Sequence, residues 1–395
     1  MEIKNLRKAA RRILKAVKSK ERIVLYGDSD MDGISSTVIL KEAIENLGGE
    51  AAFFYFPDRQ NDGYGLNRKA LSVLKKYAPA LLIVLDCGIG NFKEVEEAEK
   101  MGFEVIIIDH HEVLDKLPKA SIIIDPKQPK DKYPFKQLAT VGLVLYLADY
   151  LLGKNLSSAL KNNFLELAAM ATIADMMPRV EDNKKIIDEG VPLLRDSWRP
   201  GIQALFSVWS KEEIINGEAE AKGYLGFNYL SPIQQVEKMN SLLNIPQTED
   251  GLPLVFKLLT CPDIETANKI AGKLFKKHIQ KKRKISQITS ILEEKVLKGE
   301  NEKIVFEGRA GWELILLGTV ASIISRKFNK PVFLYQKMKS ESPGSVRAPE
   351  GFNAVEMMKK CSQFLETFGG HPQAAGFRVK NKHLEEFKNC LIKNI

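Results

Sequence analysis

Apolar and polar positions follow two alternating periods along the first third of the chain. Residues 4–18 place Leu6, Ala10, Ile13, Leu14 and Val17 on one helical face and give the rest to Lys and Arg. Ile23-Val24-Leu25-Tyr26 is a short unbroken apolar run before a Gly-containing turn. It reads as a buried strand and leads into a helix over 35–47. The alternation continues with a strand at Ala51 to Phe56, a helix near 67–77 and a strand at Leu81 to Leu85. A helix near 92–101 and strands at Val105 to Ile108 and Ile122 to Ile124 follow. Short β-branched runs between helix-length amphipathic runs predict βαβ units, hence an α/β fold with a mostly parallel, doubly wound sheet.

Helical patterns dominate from 137 to 300, and residues 265–297, broken only by Gly272, read as one long helix joining two halves. A smaller α/β segment starts near Lys303. Its expected strands are 304–306, 314–316 and 332–335, and its expected helices are 319–329, 353–366 and 382–392. The domains expected are 1–200, a helical linker region over 201–300, and 301–395.

Composition narrows the class. With 44% hydrophobic and 28% charged residues, a chain of 395 can bury sizeable cores without staples. The longest apolar runs are far too short to span a bilayer, and the basic first twenty residues lead into no apolar signal core. Cys87, Cys261, Cys361 and Cys390 lie far apart with no Cys-x-x-Cys pair. That argues against a disulfide framework and a thiolate zinc site, and it fits a reducing cytoplasm.

The chemistry concentrates where the strands end. Strand one runs into Asp28-Ser29-Asp30-Met31-Asp32-Gly33, strand three into Asp86-Cys87-Gly88 and strand four into Asp109-His110-His111. Asp175 follows the helical run Ala168 to Ala174. In an open α/β sheet, ligands bind beyond the carboxyl ends of the strands. A single Asp there is commonly a turn former or helix N-cap, and an isolated Asp-x-Asp also occurs in aspartyl-phosphate phosphatases. Five Asp and two His on three such loops are a different matter. Crowded carboxylates repel one another, and divalent cations relieve that repulsion. Asp and His without Cys suit two Mn²⁺ or Mg²⁺ ions, which roughly 3.5–4 Å apart form a clamp for in-line attack on phosphorus. Asp86, on the central strand, is the expected bridge.

These residues resemble the DHH phosphoesterase superfamily, and within it the RecJ-like single-strand-specific exonuclease branch. The likeness rests on Gly27 to Ser36, Pro57-Asp58-Arg59, Gly63-Tyr64-Gly65-Leu66, Asp86-Cys87-Gly88, Asp109-His110-His111, Thr172 to Pro178 and Gly369 to Phe377, the last like a DHH-associated domain. The resemblance implies Asp28, Asp30, Asp32, Asp86, His110 and Asp175 as metal ligands. It implies that His111 orients or protonates at the reacting phosphate and that Asp109 braces the imidazoles. Arg59, Ser345, Arg347, Gly369, Gly370 and His371 would hold substrate phosphates. A Gly-Gly-His turn would let backbone amides approach a phosphate, although Gly369-Gly370 also fits a plain tight turn and Arg347 a surface cation. The implied activity is release of mononucleotides from single-stranded DNA, 5′→3′, in repair or recombination, by a monomer with possible replication or repair partners. The alternatives are an oligoribonuclease or dinucleotide phosphodiesterase, and a non-catalytic replication scaffold, which degraded metal motifs would mark. The chain departs from this branch at Ser29 (usually aromatic), at Glu313 after Trp312 (usually His) and in an arginine-poor stretch around 223–240. It also leaves no room after the Gly-Gly-His segment for an oligonucleotide-binding barrel.

The formal charge of +9 is unevenly spread. Residues 1–20 carry a net +7 and residues 269–284 a net +8, so the rest of the chain is acidic at −6. The second run includes Lys276, Lys277, Lys281, Lys282, Arg283 and Lys284 on the expected joining helix. Facing the cleft between the halves, it would track a nucleic-acid backbone; the alternative is a solvated helix face.

Overall fold

The computed structural model describes residues 2–59, 62–113, 116–215, 227–298 and 303–394. It divides into two units, residues 1–276 and 277–395. The boundary falls within one helix.

In the first unit, α1 (Leu6–Lys18), β1 (Ile23–Gly27), α2 (Met31–Asn46), β2 (Ala51–Tyr55), α3 (Arg68–Leu74), β3 (Ala80–Leu85), α4 (Phe92–Lys100), β4 (Phe103–Ile108) and β5 (Ile122–Ile124) alternate in chain order. The five strands form one parallel sheet in the order β2-β1-β3-β4-β5. All of β1 and β3 is buried, so each strand offers apolar side chains to both faces. Ile23, Leu25, Leu81, Ile83, Leu85, Ile106 and Ile108 pack with α1 and α2. The intervening Val24, Tyr26, Leu82, Val84, Val105 and Ile107 pack with α3 and α4. This is the doubly wound sheet that the alternating pattern predicts. The switch in strand order lies between β1 and β3, where such sheets open a crevice.

Helices α5 (Thr140–Leu152), α6 (Ser158–Ala174), α7 (Glu181–Gly190), α8 (Pro200–Ile215), α9 (Pro232–Leu243) and α10 (Leu254–Leu259) extend the first core, with a two-residue-stranded hairpin β6 (Thr248–Glu249) and β7 (Leu252–Pro253) between the last two. The expectation about the arginine-poor stretch falls partly on residues 216–226, outside the described residues. The expected long helix is present as α11 (Ile264–Leu297).

The second unit contains β8 (Val305–Arg309), α12 (Leu314–Phe328), β9 (Val332–Gln336), β10 (Glu341–Arg347), α13 (Ala354–Lys360), β11 (Leu365–His371), β12 (Ala374–Lys380) and α14 (Leu384–Lys393). Its mixed sheet has the order β11-β12-β10-β9-β8. Four expectations need correction here. Leu314-Ile315-Leu316 is the first turn of α12, not a strand: Leu316, Leu317, Val320, Ala321 and Ile324 continue its buried helical stripe. The helix expected over 353–366 stops at Lys360, and Leu365 already belongs to β11. Gly369, Gly370 and His371 are strand residues, with the turn falling at Pro372-Gln373. Finally, Cys361 and Cys390 form a disulfide that joins the end of α13 to α14, with Cα atoms 5.9 Å apart.

Candidate metal centre

Register sets the site. Gly27 pairs with Leu85, Leu85 with Ile108, and Ile108 with Ile124, so four strands end level. The next residue of each is an aspartate: Asp28, Asp86, Asp109 and Asp125. The ladder continues through them. The amide of Asp28 donates to Leu85 O at 3.1 Å, that of Asp86 to Ile108 O at 2.9 Å and that of Asp109 to Ile124 O at 3.0 Å. All four side chains are buried. Asp125 escaped the sequence reading, because the loop after it holds no His and no further Asp before residue 131. Its position in the row was the available signal.

Each loop then turns its carboxylates inward. Asp30 caps α2, its carboxylate accepting from the amides of Asp32 and Gly33 at 3.1 Å each. Gly33 is required, since a Cβ there would lie 2.7 Å from the Asp28 nitrogen. Asp32 sits in the first turn of α2 and reaches the first turn of α5, accepting from Thr140 N at 2.8 Å and Val141 N at 2.7 Å. A carboxylate at a helix N-terminus is stabilised by those free amides. The Thr140 hydroxyl donates to Asp86 Oδ1 at 3.0 Å. Asp86 itself has φ +63°, a left-handed conformation that aspartate tolerates better than most residues.

Asp175, at the end of α6, completes the constellation. His110 Nε2 lies 3.4 Å from Asp175, 3.5 Å from Asp86 and 3.9 Å from Asp32. Three overlapping groups arise: Asp86 with His110 and His111, Asp32 with His110 and Asp175, and Asp28 with Asp30 and Asp86. Within each, one ligand atom per residue lies within 4.8 Å of the others. Neither ring nitrogen of His110 has a hydrogen-bond partner, nor does Asp175 Oδ2, though all three atoms are buried. Buried polar atoms left without partners, among oxygen and imidazole donors, fit divalent cations of the Mn²⁺ or Mg²⁺ type.

The electrostatics agree. Burial, then repulsion from Asp175 and Asp30 for one and from Asp32 and Asp30 for the other, raises Asp32 and Asp86 well above the usual carboxylate range. Burial also raises Asp28, and it pushes Asp175 up to about 6. Burial and the neighbouring His111 bring His110 down to about 4, so its imidazole is neutral and free to ligate. Asp109 is different. Burial works to raise it, but the His111 ring at 2.7 Å and the Ile89 amide at 3.0 Å outweigh burial and hold it below the ordinary value. Burial opposes charge on His111, yet the bond to Asp109 prevails and raises it.

Two neighbours complete the rim. The Arg59 guanidinium forks onto Asp28 and reaches Asp30 at 2.8 Å. Expected to hold substrate phosphate, it pairs here with two of the expected metal ligands. The Tyr64 hydroxyl lies 3.2 and 3.1 Å from Nδ1 and Nε2 of His111 and donates to Asp86 O at 3.1 Å.

The other expected phosphate-binding residues gather in the second unit. Ser345 pairs with Gly376, which pairs with Gly369; Arg347 pairs with Ala374, which pairs with His371. Two alternate rows across β10, β12 and β11 thus hold Ser345, Arg347, Gly369 and His371, with Gly370 in the row between them. Gly370 has φ +134°, and a Cβ would lie 2.6 Å from Ala374 O. Arg347 donates to Ser345 Oγ at 3.2 Å. On α11, Lys276, Lys277, Lys282, Arg283 and Lys284 are exposed and Lys281 is half-buried. Neighbouring acids offset part of the run: Lys269 pairs with Glu265, Lys273 with Glu249 and Lys284 with Glu313.

Comparison with known proteins places this geometry. The DHH family, N-terminal domain, matches residues 22–172, and the DHHA1 domain matches residues 301–395. A single-stranded-DNA-specific exonuclease RecJ of Bacillus subtilis is 32% identical over 99% of this chain and 48% of its own length. The RecJ of Thermus thermophilus is 29% identical over 98% of this chain and 54% of its own. The chain therefore spans about half the length of these curated relatives. A crystal structure of exonuclease RecJ bound to manganese superposes with a TM-score of 0.80 at 25% identity, covering all of this chain and 95% of that one. No helix among the described residues is long and apolar enough to cross a membrane. With a DHH domain carrying the aspartate row and a DHHA1 domain carrying the Ser-Arg-Gly-Gly-His rows, the chain fits a RecJ-like DHH protein.

Proposed function

We propose that this chain is a two-metal phosphodiesterase that trims single-stranded DNA from an end, 5′→3′, and releases mononucleotides. The observation that carries the reading is the level row of strand-end aspartates meeting His110 and Asp175, with buried ligand atoms left without partners. Asp28, Asp30, Asp32, Asp86, His110 and Asp175 would hold two Mn²⁺ or Mg²⁺ ions, with Asp86 shared. When bound, such ions lower the pKa of a water and neutralise charge on the phosphate. The remaining roles belong to side chains. Asp109 fixes Nδ1 of His111, leaving Nε2 for a proton at the leaving oxygen. Arg59, displaced from Asp28 and Asp30, would fork onto a phosphate. Ser345, Arg347, Gly369, Gly370 and His371 would hold phosphates in the second unit, and the exposed cations of α11 would follow the backbone. The enzyme would act as a monomer in the cytoplasm, in repair or recombination.

The test is nucleotide release from 5′- and 3′-labelled single-stranded DNA and RNA with Mn²⁺. Shortening of DNA from its 5′ end is expected. Full activity in EDTA, or in Asp86→Ala, would refute the reading. One observation favours a second substrate class. The acids paired with three lysines of α11 weaken the case for long-strand tracking, and dinucleotides or short oligoribonucleotides need no such track. Rates on dimers against a long strand decide between them.

A further inference from the structure

Asp125 closes the aspartate row but has no place in the reading above. Among the described residues it joins none of the three ligand groups. Its hydrogen bonds are local. Its Oδ1 accepts from the Lys127 amide at 2.7 Å, and its carbonyl accepts from the Gln128 amide at 3.1 Å. With Pro126 second, this is a tight turn of the kind that Asp-Pro favours. The buried Gln128 ties the turn back to β5 by donating to Ile123 O at 3.1 Å. The turn therefore gives Lys127 a fixed place at the β5 edge of the row.

A polar cavity of about 430 Å³ opens there. Its walls are Glu112, directly after His111, the turn at 126–128, and Lys136 and Gln137. The last two lie just before Thr140, which holds Asp32 and Asp86. Sites for small ligands have roughly this size. The two lysines differ in their partners. Lys136 lies 2.9 Å from Asp131, whose side chain is fully buried. Lys127 lies 3.0 Å from Glu112, and here the exposures are reversed: 21% for the lysine side chain and 78% for the glutamate. An exposed carboxylate holds its partner weakly. The Lys127 charge also acts on the centre. Burial dominates the shifts of His110, Asp125 and Asp175, and Lys127 works to lower each of the three. Arg59 follows β2 and Lys127 follows β5, the two edge strands of the sheet, so the expected ligands lie between two cations.

We propose that Lys127 binds a phosphate of the nucleic-acid strand, that Glu112 holds the ammonium until that phosphate replaces it, and that the cavity beside them receives the adjoining nucleotide. The substrate in this proposal rests on the nuclease reading. The exchange trades one charge-assisted hydrogen bond for another, so the strand's remaining contacts decide it.

The probe is a short labelled oligothymidine, its affinity read by anisotropy in Ca²⁺ with the strand checked for cleavage on a gel. Lys127→Gln should weaken binding about tenfold and lower the slope of log affinity against log salt by about 0.7, the share of one phosphate contact on a single strand. Lys127→Arg should keep the slope. Glu112→Gln should act in the opposite direction and tighten binding about two- to fivefold, because the ammonium no longer has to leave a partner. In the Lys127→Gln background that gain should shrink. An undiminished gain would mean that Glu112 only repels the strand, and it would overturn the exchange. Losses of the same sign in both single variants would overturn it too, since an ion pair kept for the fold alone behaves that way. If wild type cleaves with Mn²⁺ while Lys127→Gln keeps wild-type affinity and slope, the subsite falls and the nuclease reading stands. If wild type binds with the expected variant effects but never cleaves, the subsite stands and the nuclease reading falls.

Discussion

The Thr140 hydroxyl donates to Asp86 Oδ1 at 3.0 Å, while the Thr140 amide holds Asp32 at 2.8 Å. One residue at the start of α5 thus anchors two carboxylates from different loops. Thr140→Val keeps the amide and the shape but strips Asp86 of a buried donor. Mn²⁺ affinity measured by calorimetry should drop about tenfold or more. Unfolding in urea should show a loss of about 1–3 kcal/mol for the metal-free protein. Unchanged affinity would mean the hydroxyl does not orient Asp86.

The acidic centre destabilises the metal-free fold. Asp32 and Asp86 titrate above their unfolded values, so the folded chain retains protons that the unfolded chain has already released. Metal-free stability should therefore fall as pH rises above the ordinary aspartate value of 3.8. Mn²⁺ at a hundred times its Kd should restore about 2.7 kcal/mol. Asp86→Asn should raise Tm without metal at pH 8 and lose the response to Mn²⁺. A variant that melts below wild type under those conditions would contradict this.

A second buried carboxylate gives a cleaner pH signature. Burial pushes Glu166 up to about 7 from 4.5, against the Ser197 hydroxyl at 2.8 Å and Arg199 at 3.9 Å. The folded state binds the extra proton between those values, so stability is lost as pH rises from 4.5 to about 7. Glu166→Gln keeps an acceptor for Ser197 and should gain about 2–3 kcal/mol at pH 8, with little change at pH 4.5. Denaturant midpoints at the two pH values check it. Equal shifts at both would rule out titration as the cause.

The Cys361–Cys390 disulfide closes a loop with a sequence separation of 29 around β11 and β12. Cys390→Ser, or reduction, should destabilise the second unit by about 2–4 kcal/mol. Hydrogen exchange should report faster opening of α13 and α14, with the first unit unaffected. Thiol titration that finds four free cysteines in the purified protein would dispose of the bond.

For nucleic-acid binding, Lys276, Lys277 and Arg283 are exposed, whereas Lys284 is committed to Glu313. Replacing the first three with Gln should reduce the slope of log affinity against log salt by about 2 on a long single strand. Lys284→Gln should change it less. An unaltered slope in the triple variant would remove α11 from the binding surface.

Much of the first unit was legible because its signals are local and repeated. Buried strands such as Ala80–Leu85 are unbroken apolar runs, and the functional carboxylates come directly after them. Thr140 was not legible, because its partners Asp32 and Asp86 are brought to it only by tertiary packing. Asp125 needed register, which places it beside Asp109. The second unit misled for a different reason. Glu341–Arg347 contains Pro343-Gly344, ordinarily a turn signal. It is a strand because Phe377, on β12, packs where a side chain at Gly344 would stand, and because Pro343 precedes the stretch paired with β9. Leu314-Ile315-Leu316 resembled a strand because a helix beginning with three apolar residues shows no period until its second turn. Leu314 and Ile315 are in fact 39% and 43% exposed.

The aspartate row also sets an order of events during synthesis. Asp28 leaves the ribosome early, but its neighbours in the row arrive one strand at a time, and Asp175 comes only at the end of α6. On the proposed ligand set, a nascent or truncated chain ending before Asp175 would hold a partial set and no closed cation site. The proposed cation site closes in one step, when the end of α6 follows the completed first sheet.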